Sequence, residues 1–293
     1  MRILLSGSTG FIGSALSARL AQGGYTVVRL VRDSKHPGIL WDPYKKQIDR
    51  NRLEGFDTVI HLAGESINGR WTSAKKKAIL ESRLATTNFL VECISSLQHK
   101  PKAFISASAI GYYGNRGDED LTEISKPGTD FLAGVCVQWE AASEPLRKFG
   151  IRVAHIRTGL VLSPDGGALK ELLLPFKLGV GGPVGNGKQW WSWIGFEDLL
   201  RVYEYVVNSE SVSGAINAVS PNTVQNKEFV KTLGKALHRP SFMPLPAFAI
   251  KLIFGEMGDA LLLGSQKVEP DVLKISGFEF KEPELLKCLQ GML

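Results

Sequence analysis

The chain has 293 residues, 44% of them hydrophobic, and a net charge of +6 from 35 basic and 29 acidic side chains. That is enough for one large domain, or a domain plus a smaller lobe, and too little charge excess for a nucleic-acid-binding protein. The start MRILLSGSTG does not read as a signal peptide, and no apolar run approaches bilayer length, so a cytoplasmic protein without membrane association is expected.

In chain order, Arg2 to Ser6 reads as a strand, Ile12 to Gln22 as a helix and Thr26 to Val31 as a second strand. Strands follow at Thr58 to Ala63, Ala103 to Ala107 and Arg152 to Ile156, with helices near Ala74 to Ser96 and Phe131 to Lys148. Such alternation predicts an α/β fold of Rossmann type, a doubly wound parallel sheet covered on both faces. After Gly159 the rhythm loosens. Leu178 to Gln189 is a glycine-rich loop, Glu197 to Asn208 a helix, Ala215 to Val219 a strand and Lys227 to Leu237 a helix. The tail from Pro240 reads as a small lobe covering a cleft. The expected division is 1–239 for the main domain and 240–293 for a smaller C-terminal domain, with substrate-side segments within 160–239.

The basic run Lys75-Lys76-Lys77 reads as a solvated helix face. Cys93, Cys136 and Cys288 are far apart and odd in number, which argues against a disulfide framework, and no Cys/His cluster suggests a metal site.

LLSGSTGFIG places Gly7, Gly10 and Gly13 just after a strand and at the opening of a helix. The first glycine makes the turn, the second lets backbone approach a pyrophosphate, and the third lets helix pack on strand. The expected cradle is Gly7, Thr9, Gly10, Phe11, Ile12 and Gly13. The second strand ends in Arg32 and Asp33. A guanidinium here fits the 2′-phosphate of NADP, whereas a carboxylate would hold the 2′-hydroxyl of NAD. Arg32 favours NADP; the competing reading has Asp33 on the ribose and Arg32 in solvent.

Further segments resemble the extended short-chain dehydrogenase/reductase superfamily. VIHLAGES (Val59 to Ser66) resembles its fourth-strand signature, which implies that Leu62, Ala63 and Gly64 line the cofactor. ISASAIGYYG (Ile105 to Gly114) is similar to the segment holding the family's catalytic serine, which maps to Ser108. RTGLVL (Arg157 to Leu162) resembles the stretch beside the nicotinamide and brings in Val161. GNGKQWWSWIGFEDL (Gly185 to Leu199) is similar to the substrate-side signature of nucleotide-sugar epimerases. HLAGE, the Ser82-Arg83 pair, the LPF and GGP stretches and the C-terminal segment resemble an atypical branch, usually labelled "epimerase family protein", with a C-terminal domain of unknown function. The resemblance places Arg83 near the nicotinamide end or the diphosphate, although a surface helix arginine is the plainer alternative. It also implies pairing of two copies through helices, hence a homodimer.

The superfamily's proton-handling tyrosine, with a lysine four residues on, is missing. Counting back from Glu140 puts Phe131 or Leu132 at the tyrosine place and Cys136 at the lysine place. Substitutes can be named: Tyr112 or Tyr113, for which aromatic packing under the loop is the favoured reading, and Glu65, if burial raised its pKa. His61 reads as a core histidine, and Cys136 as a small buried hydrophobe. Trp190, Trp191 and Trp193 would line a substrate pocket or pack on the sheet.

Two functions follow. One is an NADP-binding, epimerase-like or oxidoreductase-like protein acting on a small polar, sugar-nucleotide-like substrate, with Ser108 and Tyr113 as candidate catalytic residues. The other is a non-catalytic NADP(H) sensor.

Overall fold

The computed structural model describes residues 1–293. Its first half runs β1 (Arg2–Ser6), α1 (Phe11–Gln22), β2 (Thr26–Val31), β3 (Ile39–Asp42), β4 (Gln47–Ile48), β5 (Thr58–His61), α2 (Ser73–Ser95), β6 (Ala103–Ala109), β7 (Asp120–Leu121) and α3 (Phe131–Ser143). Next come β8 (Arg152–Thr158), β9 (Leu160–Leu162), α4 (Gly167–Lys177), β10 (Trp190–Trp191), β11 (Trp193–Gly195), α5 (Phe196–Asn208), β12 (Gly214–Ala218), β13 (Val224–Gln225) and α6 (Asn226–Leu237). The C-terminal segment holds α7 (Ala247–Phe254), α8 (Glu256–Gly258), a π-helical turn Asp259–Leu263, β14 (Lys267–Val268), α9 (Asp271–Ser276) and α10 (Leu285–Met292).

One eight-stranded sheet has the order β12-β8-β6-β5-β1-β2-β3-β4, parallel except where β4 turns back on β3. Alternation along β1 explains the two covers. Ile3 and Leu5 point into a core with Leu16 and Leu20 of α1 and Val202 and Tyr203 of α5. Leu4 points the other way, into a core with Phe89 and Leu90 of α2 and Phe104 of β6. A strand buried on both faces must be apolar at every step, as β1 is from Ile3 to Leu5. The expected doubly wound α/β sheet is therefore present.

Differences from the sequence reading are local. Proline at 145 cannot continue α3, so Glu144–Phe149 tightens to a 3-10 turn. β3 and β4 carry no sequence signature, because four and two residues are too few for a period to show. α4 adds a helix to the stretch after Gly159 and carries Pro175 near its end.

A third core lies beyond the sheet's two covers, in which Leu162, Leu169, Trp191, Trp193 and Phe229 meet Ile250, Leu285 and Leu289 of the C-terminal segment. Leu273 and Phe278 reach into the main core. Residues after 240 thus share their apolar contacts with earlier parts of the chain. No helix is long and apolar enough to cross a membrane.

Candidate cofactor cleft and active site

Glycines shape the cleft. A Cβ on Gly7, at φ +69°, would sit 2.6 Å from the Leu62 carbonyl carbon, and one on Gly13 2.1 Å from the Gly7 oxygen. These two positions are closed to any side chain. At Gly10 a Cβ meets only the Gly7 oxygen, at 3.3 Å, and the residue is exposed. Gly10 also caps α1 without any side-chain hydrogen bond, so the first-turn N–H groups stay free for an anion. Phe11 and Ile12 turn their side chains away, Phe11 stacking on Phe196 at 4.5 Å and Ile12 packing on the main core. What they offer the cleft is backbone N–H.

The cleft holds about 180 Å³ and is lined by Gly7, Thr9, Gly10, Leu62, Ala63 and Gly64 on one side. Leu30, Val31, Arg32, Trp41, Pro43 and Tyr44 face them. Asp33 is not among them: its Oδ1 accepts the Lys35 N–H at 3.0 Å, an Asx turn that fastens the loop. Of the two residues ending β2, only the guanidinium reaches the cleft. Trp41 and Tyr44 escaped the sequence reading because β3 did.

Glu65 also borders the cleft, but it holds no spare proton. The Lys75 ammonium, 2.8 Å from Oε1, keeps its carboxyl below the usual range, with Arg32 and Arg83 adding to the effect. The expectation of a burial-raised Glu65 acid is corrected on this ground. The lysine run, too, is paired rather than merely solvated: Lys75 with Glu65, Lys76 with Glu256 and Lys77 with Glu81.

Arg83 is drawn under the loop that follows β5. Its Nη1 donates to the Ile79 carbonyl at 2.9 Å and the Glu65 carbonyl at 3.1 Å. Its guanidinium lies 4.9 Å from the Trp139 ring centroid and against Gly64. Nε and Nη2 keep no protein partner. Burial pulls its pKa down, a direction a nearby anion would reverse.

At the ends of β6, β8 and β12, Ser108, Arg157 and Asn217 stand in one register row. Ser108 Oγ donates to Glu140 Oε1 at 2.7 Å. Arg157 grips the same carboxylate with both arms of its fork, Nε to Oε1 at 2.9 Å and Nη2 to Oε2 at 2.8 Å. Its Nη1 donates to the Tyr113 hydroxyl at 3.0 Å, and that hydroxyl donates to Asn217 Oδ1 at 2.7 Å. Tyr113 has no exposed surface, and burial pushes its phenol up to about 12. Tyr112 lies under the Arg157 guanidinium, 3.4 Å from ring centroid to carbon. Neither Glu140, Arg157 nor Asn217 belongs to a motif that marks it for a role along the chain. Buried polar residues in three strands were the signal, visible once the strands are in register.

Leu132 and Cys136 occupy successive turns of α3. Leu132 packs on Gly111 and joins Trp71, Ile79 and Val135. Cys136 is buried beside Ser108 and Ala109, its thiol pushed up to about 12 by burial. His61 is a core histidine, held between Ser6 and Thr87 and kept neutral by burial. Trp191 and Trp193 are core residues, whereas Trp190 is half-buried and donates to Asp118. Val161 sits on β9 and pairs with Ile194.

A model of the NAD dependent epimerase/dehydratase family matches residues 3–218, and one for a domain of unknown function matches 245–292. The chain belongs to the epimerase/dehydratase family. A mouse epimerase family protein, SDR39U1, is 38% identical over 299 residues, covering all of both chains. A Mycobacterium bovis epimerase family protein is 38% identical over 281 residues, covering 95% of this chain and 93% of that one. Among solved structures, human SDR39U1 (isoform 2) with NADPH superposes with a TM-score of 0.91 at 34% identity, covering 100% of this chain and 99% of that one. A Corynebacterium glutamicum nucleoside-diphosphate sugar epimerase gives 0.84 at 37% identity, with 58% of its own length covered. These epimerase-family relatives bear out both the resemblance read from the motifs and the Rossmann-like sheet.

Proposed function

We propose that the cleft binds NADP(H) and that the chain is an epimerase-like or oxidoreductase-like protein acting on a small organic substrate. The observation that carries this is Arg32 facing a glycine loop with free helix N–H groups. That pairs a guanidinium for a 2′-phosphate with a cradle for a pyrophosphate. The NADPH bound by the human relative supports the same reading. Gly7, Thr9, Gly10, Phe11, Ile12 and Gly13 would hold the diphosphate, Leu62, Ala63 and Gly64 the path beside it, and Val161 the nicotinamide end. Arg83 would give a ribose or phosphate the cation that Cys136 cannot. When bound, NADP(H) supplies hydride chemistry.

Ser108 retains its lone pairs and would accept a hydrogen bond from substrate while its own O–H is donated to Glu140. Tyr113 we assign to scaffolding, because its hydroxyl is committed on both sides. Leu132 and Cys136 favour a second reading, a non-catalytic NADP(H) sensor, since neither residue hands over a proton. A hydride-transfer assay over a substrate panel separates the two.

NADP should bind at least about tenfold tighter than NAD, a gap of about 1.4 kcal/mol, and Arg32→Ala should erase most of it. Equal affinities in the parent, by fluorescence titration, would refute the assignment. Arg83→Ala should weaken NADP by roughly 1–3 kcal/mol, the range of a charge-assisted hydrogen bond, while Cys136→Ser changes nothing. Loss of an activity in Cys136→Ser with no effect of Arg83→Ala would make the cysteine catalytic instead.

A further inference from the structure

We propose that the face formed by α4, α6, α7 and the strip 240–246 docks on an anionic membrane surface, its apolar side chains entering the lipid and its lysines meeting the headgroups. The inference stands apart from the cofactor reading. It replaces the expectation of a protein without membrane association, since a surface contact needs no membrane-crossing helix.

The three helices share one core and turn a common set of side chains outward. In α4, Leu169, Leu173 and Phe176 point into that core, whereas Lys170, Leu174, Lys177 and the following Leu178 recur at i, i+4, i+7 and i+8 on the exposed side. In α6, Phe229, Val230 and Leu233 point inward, and Lys227, Lys231 and Lys235 form an exposed stripe. α7, AFAIKLIF, buries only Ile250. A helix that is apolar nearly all round is ordinarily covered on every side. This one leaves Phe248 73% and Leu252 75% exposed, on one face with Lys251.

Main-chain hydrogen bonds join these elements into one surface. The strip before α7 runs beside the loop that follows α4. Met243 N–H donates to the Gly181 carbonyl at 3.3 Å, Leu245 N–H to the Pro183 carbonyl at 2.8 Å and Gly185 N–H to the Leu245 carbonyl at 2.9 Å. The strip so carries the exposed Phe242 and Met243 from the end of α4 to the start of α7. Apolar residues exposed singly are ordinary, but a run of them across three elements marks a contact surface.

Charge identifies the occupant. Lys170, Lys177, Lys188, Lys231, Lys235 and Arg239 are exposed on or beside this face, and none forms an ion pair. Only Glu171 and Glu228 oppose them on α4 and α6. Each unpaired cation is stabilised near anionic lipid, and the apolar side chains between them are stabilised by entering it. A second copy fits worse: in a two-fold pairing the face would meet itself, lysines against lysines. A partner protein would find no pocket for an anchor, because the apolar side chains stand out from the surface; lipid tails need none.

The test is flotation of the full chain with vesicles of phosphatidylcholine alone, and of phosphatidylcholine with about one-third phosphatidylglycerol, at low and high salt. The expected result is at least about tenfold more binding to the anionic vesicles, falling as salt rises. Phe248→Ser with Leu252→Ser should weaken that binding by about tenfold or more, and so should Lys177→Glu with Arg239→Glu. Melting temperatures should stay near that of the parent, because all four side chains are exposed. The lipid and salt comparisons decide the matter even where a variant does not fold. No binding to the anionic vesicles, equal binding to both compositions, or folded variants that bind like the parent would overturn the proposal. So would a dimer, seen by sedimentation, that Phe248→Ser with Leu252→Ser splits into monomers, since the face would then belong to a second copy.

Discussion

Glu140→Ala should cost about 3–5 kcal/mol of folding stability, the largest effect of any single change near the site. The reason is the arginine left behind. Arg157 is 4% exposed and Glu140 12%, and the pair shares two short hydrogen bonds. Removing the carboxylate strands a guanidinium in a medium that solvates it poorly, and also deprives Ser108 of its acceptor. Removing both charges is a different matter. Glu140→Leu with Arg157→Met leaves two apolar side chains of similar size, and stability should return most of the way. Urea denaturation of Glu140→Leu, Arg157→Met and the double reads this as a coupling energy. A double variant no more stable than Glu140→Ala would mean that the fork is not what the sheet ends depend on.

The second large effect falls on binding alone. Gly10→Val should abolish detectable NADPH binding while the melting temperature stays near that of the parent. The Cβ has room, since only the Gly7 oxygen lies near it, at 3.3 Å, but its branches would point where a diphosphate must meet the first-turn N–H groups. Gly13→Val provides the contrast. Its Cβ would lie 2.1 Å from the Gly7 oxygen, so there the loop itself must break, and stability falls with binding. NADPH fluorescence alongside thermal melting distinguishes the two. Retained binding in Gly10→Val would put the cofactor elsewhere.

Much of the sheet was readable because its order is written in local periods. β1 and α1 are apolar at the spacing of a buried strand and of a helix face, and the glycines between them leave little choice of geometry. β3 is four residues long and escaped notice, and with it went Trp41 and Tyr44, which face the glycine loop across the cleft. Arg32 was legible because a strand end and a single guanidinium suffice to raise the question, and Asp33 was settled only by its hydrogen bond to Lys35. The Ser108, Glu140 and Arg157 cluster lay beyond reach for another reason. Its members are 17 to 49 residues apart, and only the pairing of β6 with β8 and the packing of α3 across them, both non-local, bring Ser108 and Arg157 within 3 Å of Glu140. A sequence names residue types along a line; it does not say which strand lies beside which.

The row formed by Ser108, Arg157 and Asn217 has a bearing on how the protein can change. Three neighbouring strands hold the row by main-chain hydrogen bonds, so its members cannot drift singly. A slip of one residue in β8 would swing Arg157 to the opposite face of the sheet, under α5, where Ala154 and Ile156 now point, and all of its partners would lose it at once. Loops at the strand ends face no such rule. The segment carrying Met257 lies outside the sheet and can exchange side chains without disturbing the row. The protein is thus built with a frozen floor and an editable roof. New ligand preferences can arise by altering the roof, while a change to the floor is felt first as a loss of folding.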